Sequence, residues 1–316
     1  MKPVGSPETP FEHRIEAALA RVPAWRGQAL RYERAAAPVA SPTHRAVASD
    51  CIRLARHSEP DLFVKIRHPD MAADLTPVAA GAAERAGRLD LGPALRLAEG
   101  DLLAFDHLPA PWTYARVGDL QDRDRLAAVL TAQKRLQSEP PLGHRFDPFA
   151  RIAALAQEAR AVAAPLPDGT GDLIAAAALI GAAMAAAGHD LRPCRNDGIA
   201  SNVMHDGAAI RLVDFDLAGD ADPWFEVGAL INEACGFDEE RNAAIEAYAG
   251  AGTARLYARC RLYGAVDDVM WGLWGIVRAI TAPRDGIEFF KYGQWRLLHA
   301  GTTVGAWDFE AWLRRL

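Results

Sequence analysis

Apolar positions fall into two regimes along the 316-residue chain. Over residues 46–67 they alternate with polar ones, in Ala46-Val-Ala, Cys51-Ile-Arg-Leu-Ala and Asp61-Leu-Phe-Val-Lys-Ile. A period of two belongs to strands with one buried face. His57-Ser-Glu-Pro supplies a turn between two of the runs, so the pattern predicts a hairpin. Residues 12–36 read as a short helix followed by a connection. Residues 72–89 are alanine-rich and helix-favouring, stopping before Gly92-Pro93. Two more short strands, 94–97 and 101–105, are joined by a turn at Glu99-Gly100. The expectation is a small antiparallel sheet with one helix packed on it.

From Pro109 a helical period takes over. It predicts helices over 119–137, 148–163, 173–189, 223–235, 239–250, 254–280 and 286–299. Only 194–217 breaks the pattern, with strand-like pieces at 201–204 and 209–215. No internal repeat is present. The layout predicts an α+β fold of two lobes: residues 1–108 form a small mixed lobe and 109–316 a larger, mainly helical one.

Composition narrows the class. Half of the residues are hydrophobic and 24% are charged, as in a soluble globular protein with a sizeable core. The formal net charge is −6 and no Lys/Arg block occurs, which disfavours a nucleic-acid or anionic-membrane surface. The longest apolar run, 173–188, is interrupted by Gly181 and is shorter than the ~20 residues that span a bilayer. It reads as a buried helix, and no membrane insertion is expected. No apolar stretch follows the N-terminal charge, so no secretory signal is visible. Cys51, Cys194, Cys235 and Cys260 lie far apart without a CxxC pair. Reduced thiols and a cytoplasmic location are the expectation, for a monomer or homodimer.

One asymmetry points to chemistry. Of 35 basic residues only Lys2, Lys65, Lys134 and Lys291 are lysine. Lys65 stands inside the apolar run Leu62-Phe-Val-Lys-Ile66, where a compact ammonium suits a phosphate. The strongest motif comes later: Cys194-Arg-Asn-Asp197, Asn202 five residues beyond Asp197, then Leu212-Val-Asp214-Phe-Asp216. This set suits phosphoryl transfer. One carboxylate deprotonates a hydroxyl while an amide oxygen and a second carboxylate hold Mg²⁺ against nucleotide phosphates. Asn, Asp, Gly and Ser are also ordinary turn residues. The apolar strand ending in Asp-Phe-Asp, together with Lys65, lifts the set above a surface turn.

On these residues the chain resembles the choline/ethanolamine kinase family, within the aminoglycoside-phosphotransferase and protein-kinase-like superfamily, as a divergent bacterial-type member. Pro193-Cys-Arg-Asn-Asp197 resembles the catalytic loop, and Leu212-Val-Asp214-Phe-Asp the metal-binding strand. Ala221-Asp-Pro-Trp-Phe-Glu-Val-Gly228 resembles the following loop and helix start. Gly92-Pro93 and Leu103-Ala-Phe-Asp-His-Leu-Pro resemble the approach to the lobe hinge. The correspondence runs over about residues 46–296. It implies a two-lobed kinase fold, ATP and Mg²⁺ as cofactors, Asp197 as catalytic base, Asn202 and Asp214 as metal ligands, and Lys65 on the α/β phosphates.

Met270-Trp271-Gly-Leu-Trp274 puts two indoles on one helical face, with Tyr292 on the next helix. By spacing alone such a pair reads as core packing. The resemblance implies instead a cage for a small amino-alcohol such as choline or ethanolamine, built from Trp271, Trp274, Tyr292 and Glu233. Departures from the family pattern leave two alternatives open. The acceptor is another amine-bearing metabolite or an aminoglycoside, or the protein is a kinase-fold binding protein without catalysis. The nucleotide loop, residues 39–45, has no glycine, which leaves open a nucleotide site closed by His44 or Arg45. Glu84 reads as a solvated helix charge rather than the partner of Lys65. Arg195 replaces a histidine, and Leu217 stands where a pocket tyrosine is common.

Overall fold

The computed structural model describes residues 1–316 except 43, 58, 283 and 285. Ser58 in the expected turn and Thr43 in the expected nucleotide loop thus lie outside the described residues.

The N-terminal part is built on one antiparallel sheet. Its chain order is β1 (Lys2–Pro3), α1 (Pro10–Arg21), β2 (Leu30–Ala36), β3 (Val39–Ser41), β4 (His44–Ala46), β5 (Ser49–Arg56), β6 (Glu59–Arg67), α2 (Ala79–Arg88), β7 (Leu95–Glu99) and β8 (Leu102–Asp106). The sheet order is β1-β2-β5-β6-β8-β7, and β3 and β4 form a separate hairpin. The predicted hairpin is β5–β6, with Ile52 opposite Val64 and Cys51 opposite Lys65. Ile52, Leu54, Leu62, Val64 and Ile66 bury one face with Ile15 and Leu19 of α1. Because side chains alternate, Lys65 must point from the other face, toward the cleft.

Two expectations need correction in this part. Residues 30–36 are a strand rather than a connection, since Leu30 and Tyr32 alternate into the core between exposed neighbours. The expected helix 72–89 is shorter: a 3₁₀ turn, Pro69–Asp74, precedes α2.

The helical part runs β9 (Thr113–Tyr114), α3 (Val117–Leu120), α4 (Arg123–Gln137), α5 (Pro148–Ala161), α6 (Thr170–Ala187), β10 (Arg192–Cys194), β11 (Val203–His205), β12 (Ile210–Leu212), β13 (Gly219–Ala221), α7 (Pro223–Ala234), α8 (Asp238–Ala249), α9 (Ala254–Thr281), α10 (Phe289–Val304) and α11 (Phe309–Arg314). The pair β11–β12 matches the two expected strand pieces, and β10 pairs with β13. The expected helix 119–137 divides at Asp122, whose side chain accepts the Arg125 amide as an N-cap. Asp222 starts α7 the same way, and its other oxygen accepts the Tyr263 hydroxyl of α9 at 2.7 Å.

The apolar run read as a buried helix is α6, and only one stripe of it is buried. Ala176, Ile180 and Met184, one turn apart, face the core, while Leu179 is exposed. Among the described residues it is the one helix long and apolar enough to cross a membrane. Alanine keeps its outer face small, so its exposure costs little.

α9 is the axis of this part, buried over most of its length. It meets α10 backbone to backbone: a methyl on Gly275 would stand 2.8 Å from Gly293 Cα. That approach sets Trp274 of α9 beside Tyr292 of α10, ring centroids 6.2 Å apart. Gly275→Ala gains about 1 kcal/mol of helix propensity but overpacks the crossing by about 1–3 kcal/mol. The overpacking is expected to win, so calorimetry should show a lower Tm; an unchanged or higher Tm would refute the close crossing.

Candidate active site

Asp197 lies in the turn between β10 and the 3₁₀ segment Ala200–Asn202. Its neighbours hold that turn rigidly. The fully buried Arg195 donates from Nη1 to the carbonyls of Asn202 at 3.2 Å and Val213 at 3.0 Å, and from Nη2 to the Asp197 carbonyl at 2.5 Å. Its backbone amide donates to Glu226 Oε1 at 3.2 Å. One side chain therefore ties both acidic turns together, and a histidine with two ring nitrogens could not donate to three carbonyls. Asn196 adopts a left-handed φ of 61° and donates to the Leu217 carbonyl at 3.0 Å. Gly198 passes so close to α7 that a methyl there would sit 2.5 Å from the Ala229 carbonyl carbon.

Both Asp197 oxygens are engaged. Oδ1 accepts the Ile199 amide at 3.0 Å, and Oδ2 accepts Asn202 Nδ2 at 3.1 Å. With its nitrogen committed to Asp197, Asn202 keeps its amide oxygen as a hard donor. Asp214, also left-handed at φ 61°, accepts Lys65 Nζ at 2.8 Å. Asp216 lies 3.3 Å from the same ammonium and 2.8 Å from Arg67 Nη2. Burial opposes the Lys65 charge, but Asp214 and Asp216 outweigh it and raise its pKa. Burial likewise opposes the Asp214 charge, and Lys65 overrides it to hold the carboxyl well below the usual range.

Among the described residues Asp216 Oδ2 is buried without a partner, an oxygen left over for a ligand. Asn202, Asp214 and Asp216 thus offer the oxygen donors that suit Mg²⁺. Among the described residues no three His, Cys, Asp or Glu side chains form a metal cage.

The aromatic residues gather at the other end of the cleft. Trp271 and Tyr292 are buried, and both face Arg45 of β4. The guanidinium carbon lies 3.5 Å from the Trp271 ring centroid, and Nη1 is 3.1 Å from the Tyr292 hydroxyl. Arg45 Nη2 is 2.5 Å from Asp197 Oδ2. Arg45 thus enters the cleft as one of the two residues considered, but next to Asp197 and the aromatics. His44 turns away and packs edge-on against Tyr114 at 4.8 Å.

The structure separates the remaining residues. Trp274 stands edge-on behind Trp271 at 5.2 Å, and its indole N–H donates to Asp74 Oδ2 at 2.9 Å. It therefore braces Trp271 and ties α9 to the Pro69–Asp74 turn. Glu233 is buried below, 3.8 Å from Arg296 Nη1. Glu84 is exposed and pairs with Arg88, away from Lys65. Leu217 packs in the apolar core.

Sequence reasoning missed a buried ionic cluster under the aromatics. Arg296 contacts Asp267, and Asp268 at 2.8 Å, while His299 Nδ1 is 2.8 Å from Asp268. Asp267 lies one turn before Trp271 on the same face of α9. Two adjacent aspartates inside the otherwise uncharged stretch 262–277 of α9 were the available signal. Burial pushes Asp267 up to about 6 and Glu233 up to about 7, against the pull of Arg296.

A profile of the phosphotransferase enzyme family matches residues 57–263. The chain belongs to this family. No curated protein matches the sequence of this phosphotransferase. Among solved structures it is similar to a choline/ethanolamine kinase family protein from Mesorhizobium loti, with 19% identity and a TM-score of 0.78, over 96% of this chain and 98% of that one. It is similar to choline kinase from Streptococcus pneumoniae, with 14% identity and a TM-score of 0.74, over 93% and 99%. The GDP complex of aminoglycoside 2′-phosphotransferase-IIIa follows with 14% identity and a TM-score of 0.60, over 92% and 98%. The phosphotransferase thus has the two-lobed kinase-like α+β fold shared by these small-molecule kinases.

Arg195→Met in this phosphotransferase leaves the buried carbonyls of Asp197, Asn202 and Val213 without their donor. Each unmet buried group costs about 1–3 kcal/mol, read as an earlier urea midpoint, and a midpoint like wild type would refute the strut.

Proposed function

We propose that this phosphotransferase carries a phosphoryl group from ATP, with Mg²⁺, to the hydroxyl of a small amino-alcohol such as choline or ethanolamine. One observation carries the reading: a cation on Trp271 and Tyr292 is also within hydrogen-bond reach of Asp197. An acceptor holding its ammonium on the aromatic face could present a hydroxyl, two carbons away, to that carboxylate.

Asp197 would take the hydroxyl proton on Oδ2 as the oxygen attacks. Asn202 orients Asp197 through Nδ2 and would give its amide oxygen to the metal, with Asp214 as the second ligand. Lys65 would leave Asp214 partly for the α/β phosphates, moving its charge toward the leaving group. Bound Mg-ATP would supply the phosphoryl group and the metal's charge. Trp271 and Tyr292 would hold the ammonium, with Trp274 fixing the indole from behind. Glu233 and Asp267 would add negative potential beneath it. Those same buried carboxyls favour a second reading, an aminoglycoside or other acceptor with more than one amine.

A coupled ATP-turnover assay over choline, ethanolamine, amino-sugars and aminoglycosides tests the reading. Choline- or ethanolamine-dependent turnover should fall at least ~10³-fold in Asp197→Asn, which keeps the shape and loses the base. Turnover with an aminoglycoside alone transfers the assignment to the second reading. No turnover with any acceptor, and no thermal shift with Mg-ATP, would refute phosphoryl transfer.

The raised carboxyls give a pH signature. Below about 6 both Asp267 and Glu233 are protonated and neutral, and above about 7 both are ionised. Affinity for choline should therefore rise between pH 5.5 and 8, by up to about tenfold per group. Stability of the ligand-free protein moves oppositely. The folded state keeps the Glu233 proton between its ordinary 4.5 and about 7, so stability falls as pH rises through that window. Titration calorimetry across pH checks the first trend, and Glu233→Gln should flatten its upper half.

A further inference from the structure

Arg45 occupies the position that the proposed acceptor would need. Its guanidinium carbon stands 3.5 Å from the Trp271 ring centroid, and the group meets the Tyr292 hydroxyl and takes the Asp197 oxygen that would accept the acceptor's proton. Asp197 Oδ2 already accepts Asn202 Nδ2, and Arg45 fills its second acceptor position, so a hydroxyl cannot take that oxygen while Arg45 stays. The arginine side chain is only 9% exposed, so the cleft cannot hold it and a second cation together.

The hairpin that carries Arg45 is built to sit there. In β3–β4, Ala40 pairs with Arg45, and Ala40 and the following Val47 are buried in the same apolar core as Trp271 and Tyr292. Arg284 donates to the Val47 carbonyl at 2.7 Å, and His44 packs on Tyr114. Between these anchors the charged side chain of Arg45 reaches inward. The hairpin stands at the glycine-free nucleotide-loop position, so its movement would be coupled to nucleotide entry.

We propose that Arg45 is an internal plug for a guanidinium- and ammonium-binding subsite formed by Trp271, Tyr292 and Asp197, and that a cationic acceptor binds by displacing it. The inference rests on the amino-alcohol reading only for the acceptor's identity. The subsite's preference for a planar guanidinium is read from its occupant.

The plug acts as a tax on affinity. If Arg45 fills the subsite most of the time, apparent affinity for any external cation is reduced by the vacant fraction. Arg45→Ala should bind methylguanidinium and choline at least ~10-fold more tightly than wild type by titration calorimetry, with Arg45→Lys between them. An Arg45 that positions phosphate, or merely clamps the two lobes, predicts equal or weaker binding in Arg45→Ala, and that result would overturn the plug. Gain for methylguanidinium without choline binding or turnover would sustain the plug and sink the amino-alcohol reading.

A measurement on the wild type decides the matter should Arg45→Ala fail to fold. Saturating methylguanidinium should speed amide hydrogen exchange across residues 39–46 while slowing it around Trp271 and Tyr292. Binding that leaves exchange in 39–46 unchanged would overturn displacement.

Discussion

Three carboxylates, Asp197, Asp214 and Asp216, share one cleft, and the need to balance their charge organises everything around it. Two unit charges 4 Å apart at an effective dielectric of 20 interact by about 4 kcal/mol. A few uncompensated repulsions of that size would equal the whole net stability of a domain. The chain therefore brings cations from several elements. Lys65 and Arg67 come from β6, Arg45 from the β3–β4 hairpin, and Arg195 spans the backbone beneath. Two of those elements belong to the N-terminal sheet region and the carboxylates to the helical region. The electrostatics that make the site usable are thus also what hold its two sides together.

Much of this was legible in the sequence, for a physical reason. Strand alternation around Lys65 fixed the face from which it points, since a period of two leaves no choice once Val64 and Ile66 are buried. The Asp197–Asn202 spacing is local, so a turn brings the pair within a hydrogen bond without long-range information. The β2 strand was harder, because its pattern of two buried residues among charged ones is short and sits at a sheet edge region dominated by arginine. The apolar run of α6 misled for the opposite reason. Alanine is hydrophobic enough to suggest burial and small enough to be left exposed.

What the sequence could not give were contacts between distant segments. Arg195 looked like a loss, a histidine replaced. Its value appears only when the carbonyls of Asn202 and Val213 are brought to it. Trp274 looked like a cage wall, yet its N–H is bound to Asp74, some two hundred positions away. Asp267 and Asp268 were invisible as chemistry because their partner, Arg296, lies on another helix. In each case the residue type was plain and the partner was not.

Arg45 joins these threads. A loop without glycine cannot lay backbone amides over phosphates as a glycine-rich one does. The same loop instead delivers a side chain to the aromatic end of the cleft, where it neutralises Asp197 and covers the indole. Without an acceptor, Asp197 would be a buried carboxylate beside Asp267 and Asp214, and Trp271 would expose an aromatic face. Arg45 answers both needs at once. An acceptor that carries its own cation can replace it at little electrostatic cost, because one charge on the indole is exchanged for another. A neutral acceptor would leave the carboxylates unbalanced when Arg45 departs. The hairpin thereby makes the charge of the acceptor a condition of entry, which neither the aromatic pocket nor the carboxylates could impose alone.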